Sequence, residues 1–208
     1  LPVLDRDDVH HLGRVLRLRT GERVSTSDGR GAWRWCRWSN GELQVDGEVS
    51  TVTRTTVTGI AVSLIKGDRL DWVVQKLTEV GVDRIIPVAA EHCVVRWEPA
   101  KAIAQQERLC RIVREAAMQS RRVWLPTVEP VQQALDLLER EGVWRADLRG
   151  PTWAQRGGPP PAFVAIGPEG GWSETERRTA APVVSMGDTV LRAETAALVA
   201  GVHLVARR

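Results

Sequence analysis

Two glycine-bearing stretches carry the residue types that could do chemistry. The first is Ile166-Gly167-Pro168-Glu169-Gly170-Gly171-Trp172. It follows an apolar run, Ala162 to Ile166, that reads as a buried strand. It precedes Ser173, Glu174 and Glu176, which read as a helix start with Ser173 as N-cap and Glu176 as its capping-box partner. Glycines at the carboxyl end of a strand, just before a helix N-terminus, stand where open α/β sheets bind ligands. Gly167, Gly170 and Gly171 permit positive φ and close approach of the backbone to a ligand, and Pro168 stiffens the loop. The spacing is neither the dinucleotide fingerprint nor a P-loop, because the loop lacks G-x-G-x-x-G and no Gly-Lys-Ser/Thr follows. Taken alone, an ordinary strand-to-helix turn is the alternative. The second stretch, Met186 to Ala196, also runs from a strand end into a helix start, and a third strand end lies at Ala146 to Gly150. Three such loops at one edge of one sheet could together enclose a cofactor.

The elements that must position these loops follow from periodicity. From about Thr58 the pattern alternates strands with helices. Ile60 to Ile65 reads as a strand. Asp68 to Val80 reads as a helix with Leu70, Val73, Val74, Leu77 and Val80 on one face, closed by Gly81. Arg84 to Val88 is the next strand and Lys101 to Gln119 a longer helix. Pro130 can start a short helix running to Arg140. Val143 to Leu148 reads as a strand, Thr152 to Pro161 as a Gly/Pro-rich loop, Val183 to Met186 as a short strand, and Ala193 to Arg208 as the final helix. The class is therefore α/β with a mostly parallel sheet. Residues 1 to about 57 read as a small β domain. Leu43, Val45 and Val49 alternate, and Ser27-Asp28-Gly29 and Asn40-Gly41 are hairpin turn signals. His10 to Arg19 reads as a short helix carrying Arg14, Arg17 and Arg19. With the strand that interleaves Trp33, Trp35 and Trp38 with Arg34 and Arg37, it suits an RNA-contacting surface.

Composition narrows the class. The 208 residues are 43% hydrophobic and 26% charged, which fits a globular protein of one or two domains. No apolar run approaches a membrane span, and no signal peptide is visible, so the expected compartment is the cytoplasm. Cys36, Cys93 and Cys110 are too scattered for a disulfide framework or a zinc site, so no metal is expected. The net charge of +3 rests almost entirely on arginine, which suits phosphate contacts and permits a nucleic-acid partner.

Four segments in order carry a specific resemblance. They are KGDRLDWVVQKLTEVGVDRIIPV (Lys66 to Val88), REAAMQSRR (Arg114 to Arg122), IGPEGGWSETE (Ile166 to Glu176) and MGDTVLRAETAAL (Met186 to Leu198). Together they resemble the RsmE family of 16S ribosomal RNA (uracil-N3)-methyltransferases, within the SPOUT superfamily. More weakly, HHLGRVLRLRTGE (His10 to Glu22) is similar to the family's PUA-like β-barrel. The resemblance implies a C-terminal α/β-knot methyltransferase domain over residues 58–208, with a deep trefoil knot. It implies a PUA-like, RNA-binding β-barrel over residues 1–57. It further implies S-adenosylmethionine as cofactor (S-adenosylhomocysteine as product), the small ribosomal subunit's 16S rRNA as partner, and a homodimer. A small-residue face of Ala196, Ala197, Ala200 and Gly201 would suit close packing between copies. The chain departs from the family pattern at Met118, where an acidic residue is common, at Arg121, where glycine is usual, and around Glu91 to Cys93.

Under that resemblance the methyl group moves to N3 of a uridine. N3 must lose a proton, so the negative charge that develops needs support. Arg192 is the first candidate for it, and Glu169 and Glu194 are the nearest carboxylates that could accept the proton. The cofactor would rest on Ile166, Gly167, Pro168, Glu169, Gly170, Gly171, Met186, Gly187, Leu191, Arg192, Ala193, Thr195 and Ala196. Leu148, Ile166, Met186 and Leu191 would form apolar walls. Arg14, Arg17, Arg69, Arg96 and Arg122 are candidate phosphate contacts. Two rival readings remain: a related knotted methyltransferase acting on transfer RNA, and an RNA-binding module without catalysis.

Overall fold

A computed structural model describes residues 3–54 and 56–207, and the chain divides into two compact units, Leu1–Thr55 and Thr56–Arg208. The first unit opens with α1 (Arg6–His10), whose N-cap Asp5 forms a reciprocal capping box with Asp8. A π-helical turn, His11–Val15, continues it, so the helix expected over His10 to Arg19 begins earlier and stops before Leu16. The chain then forms β1 (Arg23–Ser27), β2 (Ala32–Ser39), β3 (Glu42–Val45) and β4 (Ser50–Thr51). β1 pairs antiparallel with one edge of β2, while β3 and β4 share the other. Both expected hairpin turns are present, at 28–31 and at Asn40-Gly41. Cys36, Trp38 and Leu43 form the core of this sheet, against which Leu12, Leu18 and Val24 pack. The alternation read at Leu43, Val45 and Val49 does not hold, because Leu43 is buried whereas Val45 and Val49 are exposed.

The second unit runs β5 (Gly59–Ser63), α2 (Arg69–Val80), β6 (Arg84–Ala89), α3 (Pro99–Gln119), β7 (Thr127–Val128), β8 (Gln132–Gln133), α4 (Ala134–Leu138), β9 (Val143–Ala146), α5 (Trp153–Arg156), β10 (Phe163–Ile166), α6 (Glu174–Arg177), β11 (Val183–Val184) and α7 (Ala193–Val205). Its seven strands are all parallel, in the order β11-β9-β10-β5-β6-β7, with β8 also on β6. The central strand β5 is buried along its whole length, as a strand covered on both faces must be. At its carboxyl end the Ser63 hydroxyl donates to the Ile166 carbonyl at 2.8 Å, tying β5 to β10.

Helix α2 buries Leu70, Val73, Val74 and Leu77, as its periodicity predicts. It ends in a Schellman motif: Val82 N–H reaches the Leu77 carbonyl and Gly81, at φ 108°, bonds to Thr78. α3 ends the same way, with Arg122 N–H on Ala117 and Arg121 N–H on Met118. Here the left-handed position is held by Arg121, at φ 54°, where the resemblance leads one to expect glycine.

Four expectations are corrected. Pro130 starts no helix; β8 intervenes and α4 begins at Ala134. The stretch read as a loop over Thr152 to Pro161 contains α5, nucleated by a Thr152–Gln155 capping box. The strand read to Leu148 ends at Ala146, where the chain turns at Asp147. The small face of α7 is used inside the chain. Ala197, Ala200 and Gly201 are buried, and a Cβ at Gly201 would lie 2.8 Å from Leu77, so this face packs on α2 and is not available to a second copy.

Candidate active site

Parallel pairing brings the carboxyl ends of β9, β10 and β11 to one edge of the sheet. The loops that follow these strands line a pocket of about 400 Å³, within the usual range for small-molecule sites. Leu148, Ile166, Met186 and Leu191 contribute apolar wall.

The loop after β10 is held from several sides. Gly171 takes φ 72° and its N–H donates to the Pro168 carbonyl, closing a tight turn. Trp172 folds back over Gly167 and donates its indole N–H to the Ala146 carbonyl at 2.9 Å, joining this loop to the end of β9. Ser173 and Glu176 form the capping box expected at the start of α6. The buried Glu176 carboxylate has a second task, accepting the Glu91 backbone N–H at 2.8 Å. From the same segment, His92 Nδ1–H donates to the carbonyls of Gly170 and Gly171 at 3.2 and 3.0 Å. Both partners are acceptors, so Nδ1 carries the proton. Its neighbour Cys93 is buried, which pushes the thiol up and keeps it protonated as a packing residue.

Charged groups ring the pocket. Asp147 lines it and binds Arg177 Nη1 at 2.7 Å, while Arg177 Nε donates to the Trp172 carbonyl. Arg69, at the start of α2, pairs with Glu169 at 2.7 Å and Glu194 at 3.6 Å. Its Nε also donates to the Lys66 carbonyl. Arg192 is the N-cap residue of α7 and lines the pocket. Its side chain is exposed and, among the described residues, forms no ion pair.

Of the residues expected to hold a cofactor, all but two line the pocket: Leu148, Ile166 to Glu169, Gly171, Met186, Gly187, Leu191 to Ala193 and Ala196. Thr195 does not. Nor does Gly170, which backs onto His92, so a Cβ there would meet the His92 Cβ at 3.0 Å and not a ligand. Of the three glycines in this loop only Gly171 takes positive φ. Gly167 is required for a different reason, the closeness of the Trp172 ring. Asp147, Trp172 and Thr189 also line the pocket, inside the three loops expected to enclose a cofactor though not singled out there, whereas Arg177 and Ser185 were not anticipated. Asp147 and Trp172 adjoin residues that were anticipated, so proximity in sequence was the available signal. Arg177 had none, since its partner comes from another strand.

The arginines read as phosphate contacts divide. Arg14, Arg17 and Arg96 are exposed. Arg69 is engaged by the two carboxylates. Arg122 is a structural clamp: its guanidinium donates to the Thr78 and Val82 carbonyls and pairs with buried Asp83. Those partners occupy its donors, so it is corrected from the phosphate-contact set. Among the described residues no three His, Cys, Asp or Glu are grouped to hold a metal ion, and no helix is long and apolar enough to cross a membrane.

Comparison with known proteins agrees with this geometry. The RNA methyltransferase domain family matches residues 53–204, and the RNA methyltransferase PUA domain family matches residues 4–37. The Ribosomal RNA small subunit methyltransferase E of Bacillus subtilis is 30% identical over 93% of this chain and 85% of its own length. That of Neisseria gonorrhoeae, solved bound to S-adenosyl methionine, is 30% identical with a TM-score of 0.82, covering 97% of this chain and 89% of that one. A Legionella pneumophila protein solved in complex with the cofactor SAM is 27% identical with a TM-score of 0.87, over 98% and 90% of the two chains. On the shared fold, the strand-end pocket and these matches, the chain belongs to the RsmE family of RNA methyltransferases, with an α/β SPOUT methyltransferase unit preceded by a PUA-like unit.

Proposed function

We propose that this protein transfers a methyl group from S-adenosylmethionine to N3 of a uridine in the 16S rRNA of the small ribosomal subunit. The observation that carries the reading is the pocket itself. Three strand-end loops enclose about 400 Å³ in a chain of this family, with Arg192 at the pocket lining. The residues present fit the cofactor. Apolar walls from Leu148, Ile166, Met186 and Leu191 suit an adenine ring, and backbone groups of the loops at 166–171 and 186–191 suit its polar edge. Asp147, Arg177 and Ser185 add a few polar side chains for the remaining groups. When bound, the cofactor supplies a methyl group on a sulfonium, open to in-line displacement.

The chain's own residues do the rest. The loops hold the donor and exclude water from it. Arg192 supports the charge that develops on the uracil as N3 loses its proton. Glu169 and Glu194 are both engaged by the Arg69 guanidinium. Neither is therefore assigned as the proton acceptor. Arg14, Arg17 and Arg96 contact RNA phosphates, with residues 1–57 as the RNA-holding domain. The working form is a homodimer in the cytoplasm. Its support is the family resemblance, now that the small face of α7 is accounted for by α2.

The reading is tested by incubating purified protein with S-adenosylmethionine and either free 16S rRNA or small subunits, then mapping methylated nucleotides by mass spectrometry. One methyl group on the base of one uridine, at N3, is expected. Methylation on a ribose, on transfer RNA only, or on nothing would overturn it.

A further inference from the structure

Arg69 occupies a junction that the proposed reaction does not by itself explain. Its Nε donates to the Lys66 carbonyl at 3.0 Å, which ties the guanidinium to the loop between β5 and α2. Nη2 lies 2.7 Å from Glu169, in the loop after β10 that lines the pocket. Nη1 lies 3.6 Å from Glu194, in the first turn of α7 and two residues beyond Arg192. One side chain thus joins the loop after β5, the loop after β10 and the segment that follows β11. The planar fork of arginine can address two carboxylates at once, which lysine cannot. Two carboxylates converging on one cation repel each other once that cation is removed. The Glu194 side chain is only 14% exposed, so water would screen that repulsion poorly on one side.

We propose that Arg69 is a positioning residue for methyl transfer: by neutralising Glu169 and Glu194 together, it holds the pocket loop against the start of α7 and so sets the place of Arg192. The inference rests on the functional reading above. It differs from a phosphate contact in a decisive way, because its partners are inside the protein and its effect reaches cofactor binding as well as turnover. A displacement of about 1 Å at a reacting group can cost around 10²-fold in rate. The loss of turnover should therefore exceed the loss of affinity.

The test compares wild type, Arg69→Met, Arg69→Lys and Arg69→Met combined with Glu169→Gln and Glu194→Gln. Three quantities are read: calorimetric affinity for S-adenosylhomocysteine, single-turnover rate at saturating RNA and cofactor, and the salt dependence of RNA binding. Arg69→Met is expected to weaken S-adenosylhomocysteine roughly three- to tenfold, the scale of two partly exposed ion pairs. Its saturated rate should fall by more than its affinity does. Lysine should restore part of both. Removing the two carboxylate charges should restore affinity in the Arg69→Met background, because the repulsion is gone. The salt slope should be the same in all four proteins. If affinity and saturated rate are unchanged in Arg69→Met and the salt slope becomes shallower, Arg69 is a phosphate contact and the inference falls. If neutralising Glu169 and Glu194 restores nothing, charge pairing is not its role and the inference also falls. Failure of wild type itself to bind S-adenosylhomocysteine would instead overturn the functional reading on which all four comparisons stand.

Discussion

The indole of Trp172 lies directly on the backbone of Gly167: a Cβ built at 167 would come within 2.9 Å of the ring. The contact fixes the pocket loop, because the same indole N–H is bonded to the Ala146 carbonyl of the neighbouring strand. Gly167→Ala should push the ring away and lengthen that bond. Overpacking of this kind typically costs about 1–3 kcal/mol. The expected result is a lower melting temperature together with weaker S-adenosylhomocysteine binding. Unaltered binding in a folded variant would mean that the loop tolerates a displaced Trp172.

At Arg192 the question is chemistry against binding. Arg192→Ala should bind cofactor and RNA within a fewfold of wild type, yet lose about 10²–10³-fold in single-turnover rate, as loss of one charge-stabilising donor does. Lysine keeps the charge without the fork and should recover part of the rate. A near wild-type rate at saturating RNA would leave Arg192 a binding residue.

Arg14 and Arg17 carry the RNA proposal for the N-terminal unit. Phosphate contacts make affinity fall with salt, with a slope of about 0.9 per phosphate neutralised on duplex and less on single strands. The double variant Arg14→Ala, Arg17→Ala should bind RNA more weakly and with a shallower slope, with cofactor affinity unchanged. An identical slope would move the RNA surface elsewhere.

Arg122 should behave in the opposite way. Its side chain is 12% exposed and that of its partner Asp83 only 1%. Removing one member of a buried pair commonly costs about 3–5 kcal/mol. Asp83 retains bonds from the Thr58 N–H and hydroxyl, which softens the loss. Arg122→Met should therefore lower stability by about 2–3 kcal/mol in urea titrations and leave the salt slope of RNA binding intact. A stable variant with a shallower slope would return Arg122 to the phosphate contacts.

Arg121 offers the reverse case, a substitution expected to help. It holds the left-handed position of the α3 Schellman motif at φ 54°, where an L side chain costs about 1–2 kcal/mol relative to glycine. Glycine regains part of that, less the entropy of a freer unfolded chain. Arg121→Gly should raise stability by about 0.5–1 kcal/mol. Destabilisation would show that the arginine side chain makes compensating contacts.

The contrast between Gly81 and Arg121 also shows what the sequence made legible. Two helices end in the same hydrogen-bond pattern, but only the first carries the residue that announces it. Features set by near neighbours were readable: the Ser173–Glu176 capping box, the buried face of α2, and the hairpin turn at Asn40-Gly41. The Thr152–Gln155 capping box was equally local, but the glycines and prolines that follow it hid the helix. Pro130 misled because a proline suits the start of a helix as well as the approach to an edge strand. Three of the pocket's apolar walls were legible because Leu148, Ile166 and Met186 lie at or within two residues of a strand end, and the fourth, Leu191, because it leads into the last helix. Its charged pairs were not. Arg177 with Asp147, and Arg69 with Glu169 and Glu194, depend on a strand order, β9-β10-β5, that is not the order of the chain. No periodicity encodes that order.

That strand order has a consequence for how the molecule comes into being. β5 and β6 are close in sequence, so they can pair as soon as α2 has formed between them. The other edge of β5 must wait for β10; the bond from Ser63 to Ile166 spans 103 residues. Contacts of such separation make folding slow, because the loop must be closed before the pairing rewards it. During synthesis the unpaired edge of β5 stays uncovered until most of the chain has been made, a state prone to mispairing. The pocket is completed later still, when α7 settles on α2. A ligand bound in that pocket can stabilise the finished fold but cannot guide the first half of its assembly.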